Sequence, residues 1–133
     1  MLLCLDFESD TPIYLQIRNQ IVIGIANGEL LDGEKLPTIR MLANDLGINM
    51  MTVSKAYQLL KSEGYIYGDR RNGACVRKLQ QNGSDVERSL MLSPDSHEKL
   101  KLIISEAKLN GVPSEEFLQM CKGLYESIEE ENI

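Results

Sequence analysis

The residues from Asn49 to Lys61 combine an apolar stripe with a set of polar, cationic and thioether side chains. Val53, Tyr57 and Leu60 share one helical face, which leaves the opposite face for solvent or a partner. The outward set comprises Asn49, Met50, Met51, Thr52, Ser54, Lys55 and Gln58. A helix that enters the major groove needs such side chains at its N-terminal end and an apolar back. The segment is therefore predicted to read DNA.

Cationic and hydroxyl side chains flank this segment on both sides. The preceding set is Lys35, Thr38 and Arg40, and the following set is Arg70, Arg71, Asn72 and Gly73. From residue 35 to residue 78 there are eight bases and three acids, and 8 minus 3 gives +5. Such side chains can hold phosphates or enter the minor groove without reading the base sequence. Each one alone is more commonly a solvated charge, but their joint placement indicates a nucleic-acid surface.

Charge also divides the chain into two modules. The 133 residues carry a net charge of -6; residues 1–79 hold nine acids and nine bases, whereas residues 80–133 hold eleven acids and five bases. This asymmetry indicates a basic working module followed by an acidic one with a different role. The size and the 43% hydrophobic content fit one ordinary globular domain with an appendage and argue against a multi-domain enzyme.

The elements that must position these residues are predicted as follows. A first helix starts with Thr11 as N-cap and Pro12 at its first position, and it ends near Asn27. Residues 28–37 are turn-rich and have no room for a useful strand. A short helix runs from the N-cap Thr38 to Gly47, and another from the N-cap Asn49 to Gly64. Residues 65–67 and 74–76 read as a hairpin whose turn spans 68–73. Two short helices joined at a glycine form a helix-turn-helix.

The remaining chain is predicted to hold a linker and two helices. The linker covers residues 79–94, where Gln, Asn, Gly and Ser accumulate. Asp95 or Ser96 caps a helix that ends at Asn110, and Pro113 with Ser114 opens the next. The apolar positions of these helices are Leu100, Ile103, Ile104, Ala107, Phe117, Leu118, Cys121, Leu124, Tyr125 and Ile128. We expect an αα-hairpin whose exposed apolar side needs a partner.

A series of motifs between residues 11 and 77 resembles the GntR family of bacterial transcriptional regulators. The matching positions are Gly28, Leu36, Pro37, Thr38, Arg40, Leu42, Ala43, Leu46, Gly47, Ile48, Asn49, Thr52, Val53, Ser54, Lys55, Ala56, Tyr57, Leu60, Gly64, Tyr65, Ile66, Gly73 and Val76. So many positions at matching intervals form a specific signal. The resemblance implies an α+β, mostly α, fold with a winged helix-turn-helix over 1–78, in which Arg40, the start of the second motif helix and the glycine-bearing wing tip meet operator DNA.

The short helical tail is similar to that of the YtrA-type subfamily, which implies that residues 95–133 serve dimerisation. Two positions depart from the family pattern: many members carry arginine at the place of Met50, and some also at the place of Ser54. Methionine can contact a thymine methyl or simply pack, but it cannot make the bidentate contact of arginine with guanine. We therefore expect an operator that depends less on guanine at that position, with Lys55 partly compensating.

The leading hypothesis is a cytoplasmic, homodimeric regulator, expected to be a repressor, that binds a pseudo-palindromic double-stranded operator. A small-molecule effector stays open. The rival is a winged-helix module that docks an acidic protein without binding DNA. An enzyme, a metal site or a cofactor is not expected, because His97 is the only histidine and no phosphate-cradling glycine loop is present. Three unpaired cysteines and no apolar span argue against a secreted or membrane protein, and redox sensing by Cys75 or Cys121 stays open.

Overall fold

The computed structural model describes residues 3–69, 73–77 and 93–130. These residues fall into two compact units, one up to residue 77 and one from residue 93 onwards. The first unit contains α1 (Ile13–Ala26), α2 (Ile39–Leu46), α3 (Met50–Glu63), β1 (Ile66–Asp69) and β2 (Gly73–Val76). The second contains α4 (Pro94–Leu109) and α5 (Ser114–Glu130). This confirms the predicted fold class, mostly helical with one small hairpin.

The first helix begins one residue later than predicted. Pro12 has an extended ψ of 148° and occupies the N-cap position, while its carbonyl oxygen accepts from the amides of Leu15 and Gln16. The prediction of Thr11 as N-cap is therefore wrong, since the fixed φ of proline suits the cap as well as the first turn. Ile17, Ile21 and Ile25 are buried along one face of the helix, as their spacing predicted.

The helix-turn-helix is capped as the sequence predicted. The Thr38 hydroxyl oxygen accepts from the Met41 amide at 3.1 Å, and the Asn49 side-chain oxygen accepts from the Met51 amide at 2.7 Å. Gly47 ends α2 in the left-handed region with φ +67°, which glycine adopts without steric cost. The turn between α2 and α3 is thereby only a few residues long, and it fixes the position of the second helix.

The wing is a two-stranded antiparallel sheet in which Ile66 pairs with Val76 and Asp69 pairs with Gly73. The strands reach further towards the tip than predicted, because pairing continues through Gly68 and Gly73. Residues 28–37 contain no strand, as predicted, but Lys35 forms an isolated bridge with Cys75. The amide of Leu36 donates to the Ala74 carbonyl at 2.8 Å. This segment anchors the wing to the start of α2.

One hydrophobic core holds the first unit together. Its fully buried large side chains come from α1, α3 and the two strands, and they are Ile17, Ile21, Val53, Leu60, Ile66 and Val76. The inner face of α3 therefore packs on the hydrophobic core, which fixes the orientation of the outer face. Arg18 of α1 adds a bidentate ion pair to Glu63 at the end of α3, with N–O distances of 2.9 and 2.8 Å.

The second unit differs from prediction at its start and in its packing. Ser93 caps α4 by accepting from the Ser96 amide, and Pro94 is the first residue of the helix. The predicted cap at Asp95 or Ser96 is therefore wrong, and Pro94 is not linker, because proline is favoured at the first helical position. No described helix is long and apolar enough to cross a membrane.

The expected αα-hairpin is also not what the structure has. The two helices α4 and α5 do not pack side by side along their lengths. Ala107 and Phe117, which flank the connecting turn, are half-buried, whereas the other apolar residues with described side chains on these helices are exposed. The apolar faces of both helices are therefore largely exposed among the described residues.

Candidate nucleic-acid interface

The third helix presents two faces of opposite character. Val53, Ala56, Tyr57 and Leu60 are buried against α1 and α2. On the other side, the exposed positions are Asn49, Met50, Met51, Lys55 and Gln58. This confirms the predicted inward face, and the outward face is free of cover from the described part of its own unit. A helix held in this way can enter a groove without rearrangement of the core.

The hydroxyl residues of the outward set are less accessible than predicted. Thr52 and Ser54 are only half-exposed. They lie on either side of Val53, which is fully buried, so their side chains sit at the shoulder of the helix next to the core. Successive residues on a helix are about 100° apart, which places neighbours of a core position at the edge of the exposed face.

Lys55 does not extend freely from the helix. Its ammonium nitrogen lies 4.1 Å from the centre of the Tyr14 ring on α1. An ammonium over an aromatic face is held by the ring quadrupole, and the attraction is about 0.5 to 1 kcal/mol at an exposed site. The charge of Lys55 is thereby directed towards the start of α1 rather than along the outward axis of α3.

The sequence-predicted residues before α3 lie at the start of α2. Arg40 is exposed, and no ion pair or hydrogen bond engages its side chain among the described residues. Thr38 is exposed but its hydroxyl oxygen is used as the N-cap. Lys35 is exposed and lies beside the wing, within 4.0 Å of where a β-carbon on Gly73 would be. Arg40 and Lys35 are thus both exposed cations near the start of α2, and their contact with phosphates stays a prediction.

Part of the predicted wing contact lies outside the described residues. Arg70, Arg71 and Asn72 belong to that part, so their placement at DNA stays a prediction. Gly73 begins β2 with φ +69°, a conformation that L side chains rarely adopt. The strand pairing places Asp69 opposite Gly73.

The structure adds one cation that the sequence-based site did not include. Lys61 crosses over Gly68 so closely that a β-carbon there would come within 2.7 Å of the ammonium nitrogen. An open hollow of about 460 Å³ lies beside it, lined by Pro37, Thr38, Ile39, Tyr57, Lys61, Gly68, Gly73 and Ala74. Lys61 lies one turn beyond Gln58 on α3, and this helical spacing could have placed it on the same face from the sequence. Its contact with the wing could not be predicted from spacing.

Most of the residues predicted to mediate dimerisation have exposed side chains in the second unit. Leu100, Ile103, Ile104, Leu118, Cys121, Leu124 and Tyr125 are exposed, and Ala107 and Phe117 are half-buried. Ile128 lies in α5, but its side chain is outside the described residues. An open apolar hollow of about 560 Å³ lies at the turn, with Val112 among its lining residues.

The cysteines fall in two environments. Cys75 is buried in β2 and pairs in register with Tyr67, whose pKa it raises. Cys121 is exposed on α5, and redox sensing by either cysteine stays open. His97 is exposed near the start of α4.

Comparison with known proteins identifies the family. The model for bacterial regulatory proteins of the gntR family matches residues 13–76. The HTH-type transcriptional repressor YtrA of Bacillus subtilis (strain 168) is 34% identical over 118 residues, which cover 89% of this chain and 88% of YtrA.

Two solved structures are similar in fold. The transcriptional antiterminator from Listeria monocytogenes EGD-e has a TM-score of 0.80 at 29% identity, covering 96% of this chain and 92% of that one. The DNA-binding domain of AraR, solved in complex with operator ORX1, has a TM-score of 0.50 at 26% identity, covering 57% and 95%. The chain therefore belongs to the GntR family and is a DNA-binding transcription regulator with a winged helix-turn-helix.

Proposed function

We propose that this chain is a homodimeric repressor that binds a pseudo-palindromic operator through α3 and the wing at residues 68–73. The observation that carries the proposal is the outward face of α3, which is exposed from Asn49 to Gln58 while Val53 and Leu60 hold the helix to the core. Arg40 and Lys35 stand beside it as phosphate contacts. Contacts to phosphates fix the register of a protein on the duplex, and contacts to base edges select the sequence.

Two relatives support the operator and the sign of regulation. YtrA of Bacillus subtilis is named a transcriptional repressor, and it aligns with this chain over most of both lengths. The AraR domain was solved with an operator, and it is similar to the part of this chain that forms the winged helix-turn-helix. These names support repression and operator binding here, and a protein that acts on an operator works in the cytoplasm beside the chromosome.

The dimer is supported by the second unit. Leu118, Leu124 and Tyr125 are exposed on α5, and apolar side chains of this size gain roughly 1.5 to 3 kcal/mol each when a partner buries them. A second copy would cover them and set the spacing of two recognition helices at about 34 Å, one turn of DNA. The acidic character of residues 80–133 would keep this module away from phosphates.

An effector, if one acts, must favour one spacing of the two DNA-binding units over another. A ligand shifts an equilibrium only by its difference in affinity for the two states. We therefore place any regulation in the second unit, which controls that spacing in the dimer.

The test is a fluorescence titration of the full-length chain with the duplex upstream of its own gene at several salt concentrations, run beside a light-scattering mass. We expect a dimer whose binding constant falls steeply with salt, because about four to six phosphate contacts per protomer release counterions. A monomer with a shallow salt dependence would contradict the proposal. If the Arg40→Ala variant bound DNA with the affinity of the wild type, Arg40 would not be part of the DNA-binding site.

A further inference from the structure

The first turn of α3 has few polar groups left to read bases. The side-chain oxygen of Asn49 is engaged at 2.7 Å by the Met51 amide, so it serves the helix cap and leaves the side-chain amide nitrogen as the donor of this residue. Thr52 and Ser54 are half-exposed at the shoulder of the helix. Residues that donate or accept at base edges need a free polar atom at the tip of the side chain.

The basic side chain of this face, Lys55, also points away from the first turn of α3. Lys55 is the only basic residue between Asn49 and Gln58, and its ammonium is held over Tyr14. Gln58 is exposed, but it lies eight residues after Met50, about 12 Å further along the helix axis. The N-terminal end of a recognition helix is the part that reaches base edges, so Gln58 is set back from it.

Two thioether side chains remain as the most projecting groups. Met51 is 77% exposed and Met50 is 45% exposed. Neither is a member of the buried core. Met50 borders a shallow hollow that Arg40 and Ala43 of α2 also line, and it keeps nearly half of its surface exposed. Exposed apolar side chains at the centre of a binding face indicate an apolar partner group.

From this placement we infer that Met50 and Met51 recognise the C5-methyl groups of thymines in the major groove. The inference rests on the proposed function and names the bases that its helix selects. Thymine is the only unmodified base that offers an apolar group there, while guanine, cytosine and adenine offer hydrogen-bonding atoms. The thioether sulfur is a weak acceptor and carries no donor, so methionine contacts the methyl by packing.

The geometry of the side chains suits this task. Met50 and Met51 are adjacent on α3, about 100° apart around the axis. They can therefore touch methyl groups on neighbouring base pairs or on opposite strands. Methionine has three rotatable bonds, so its side chain can adjust to the position of a thymine methyl without straining the helix. Each half-site of the operator thus contains thymine at one or two positions that face the first turn of α3.

The experiment uses a duplex that the full-length chain selects from a random-sequence pool. Each thymine of one half-site is replaced in turn by uracil, which removes the methyl and keeps every hydrogen-bonding atom. We expect one or two replacements to weaken binding about fourfold, the effect of losing one buried methyl, while the others change nothing. Equal affinity for every uracil duplex would overturn the inference, whereas failure to select any duplex would overturn the proposed function instead.

The matched variants are Met50→Ala and Met51→Ala, with Met120→Ala as control. Met120 is also an exposed methionine, 54% accessible, but it lies on α5. Each test variant should bind the thymine duplex about fourfold more weakly and lose the uracil effect at its own position. The control should keep both affinity and uracil effect. Alanine is a good helix former, so a circular dichroism melt will confirm folding. Variants that retain the uracil effect would show that another residue reads the methyl.

Discussion

The hydroxyl of Tyr57 in α3 donates a hydrogen bond of 2.8 Å to the carbonyl oxygen of Pro37. Pro37 immediately precedes Thr38, the N-cap of α2. The bond therefore links α3, the proposed recognition helix, to the start of the helix that carries Arg40. Tyr57 is only 3% exposed and Pro37 is half-buried, so the link is largely shielded from water. It helps to set the position of Arg40, the proposed phosphate contact, relative to α3.

Replacement of Tyr57 by Phe should destabilise the fold by about 1 kcal/mol, because one buried hydrogen bond is lost and the Pro37 carbonyl is left without its donor. Urea unfolding at neutral pH measures the change. Tyr125→Phe is the matched control, since Tyr125 is 70% exposed on α5, and it should leave the stability unchanged. An equal effect of the two substitutions would contradict the importance of the Tyr57 bond.

The same residue predicts how stability depends on alkaline pH. Burial raises the pKa of Tyr57 to about 12, whereas the unfolded chain releases this proton near a pKa of about 10. Between these values the unfolded state has lost the proton and the folded state still holds it, so stability falls as pH rises from about 10 to about 12. Unfolding free energy measured across this range should fall less steeply in Tyr57→Phe. Parallel curves would show that the phenol is not buried in solution.

The local parts of this fold could be predicted from the sequence because their causes are local. Thr38, Gly47 and Asn49 act on backbone groups within three or four residues, so spacing alone locates them. The contacts that shape the site are different. Lys55 lies 41 positions from Tyr14 in the sequence and Tyr57 lies 20 positions from Pro37. Those pairs exist because α3 packs across α1 and α2, which no local pattern encodes.

The same reason explains what spacing could not predict. Lys55 was predicted to face DNA because its helical position is outward; the position is exposed, the contact with DNA stays a prediction, and the ammonium lies over a ring on another helix. The αα-hairpin was expected from two apolar stripes and a short connection. An apolar stripe indicates that a partner surface is needed, but it does not identify whether that surface belongs to the same chain. The YtrA resemblance indicated a second copy instead.

Substitution of Gly47 by Ala should cost roughly 1 kcal/mol of stability. Gly47 has φ +67°, and nothing lies within 4 Å of where its β-carbon would be, so the cost comes from backbone strain alone. Asn tolerates this region better than Ala, so Gly47→Asn is the milder companion. Chemical unfolding of both variants gives the comparison. If Ala is tolerated as well as Asn, then the turn between α2 and α3 relaxes to another conformation.

Lys61→Gln should lower the salt dependence of operator binding by about one unit of slope, as expected when one phosphate contact is lost. Lys61 stands at the base of the wing beside an open hollow, and no ion pair engages it among the described residues. Arg40→Ala should lower the slope by a similar amount. The effect should be the same on all duplexes, since phosphates carry no base identity.

The control for these two variants is Lys101→Gln, which removes a charge from an exposed position of α4. Its slope should equal that of the wild type. If Lys61→Gln leaves the slope unchanged but lowers the melting temperature, then the amine serves to hold the wing against α3 and does not contact DNA. Anisotropy titrations at four or more salt concentrations separate these results.

Leu124→Glu should convert the proposed dimer into monomers. Leu124 is exposed on the apolar side of α5, and burial of an unpaired carboxylate in an interface is strongly unfavourable. Gln119→Glu introduces the same charge at an exposed position about 140° away around the helix, so it should remain dimeric. Light scattering gives the masses, and circular dichroism checks that both variants keep their helices.

The monomer should bind a full operator no better than a half-site, because the second recognition helix is no longer tethered at high effective concentration. A dimer of Leu124→Glu with unchanged operator affinity would place the contact between copies elsewhere on the chain.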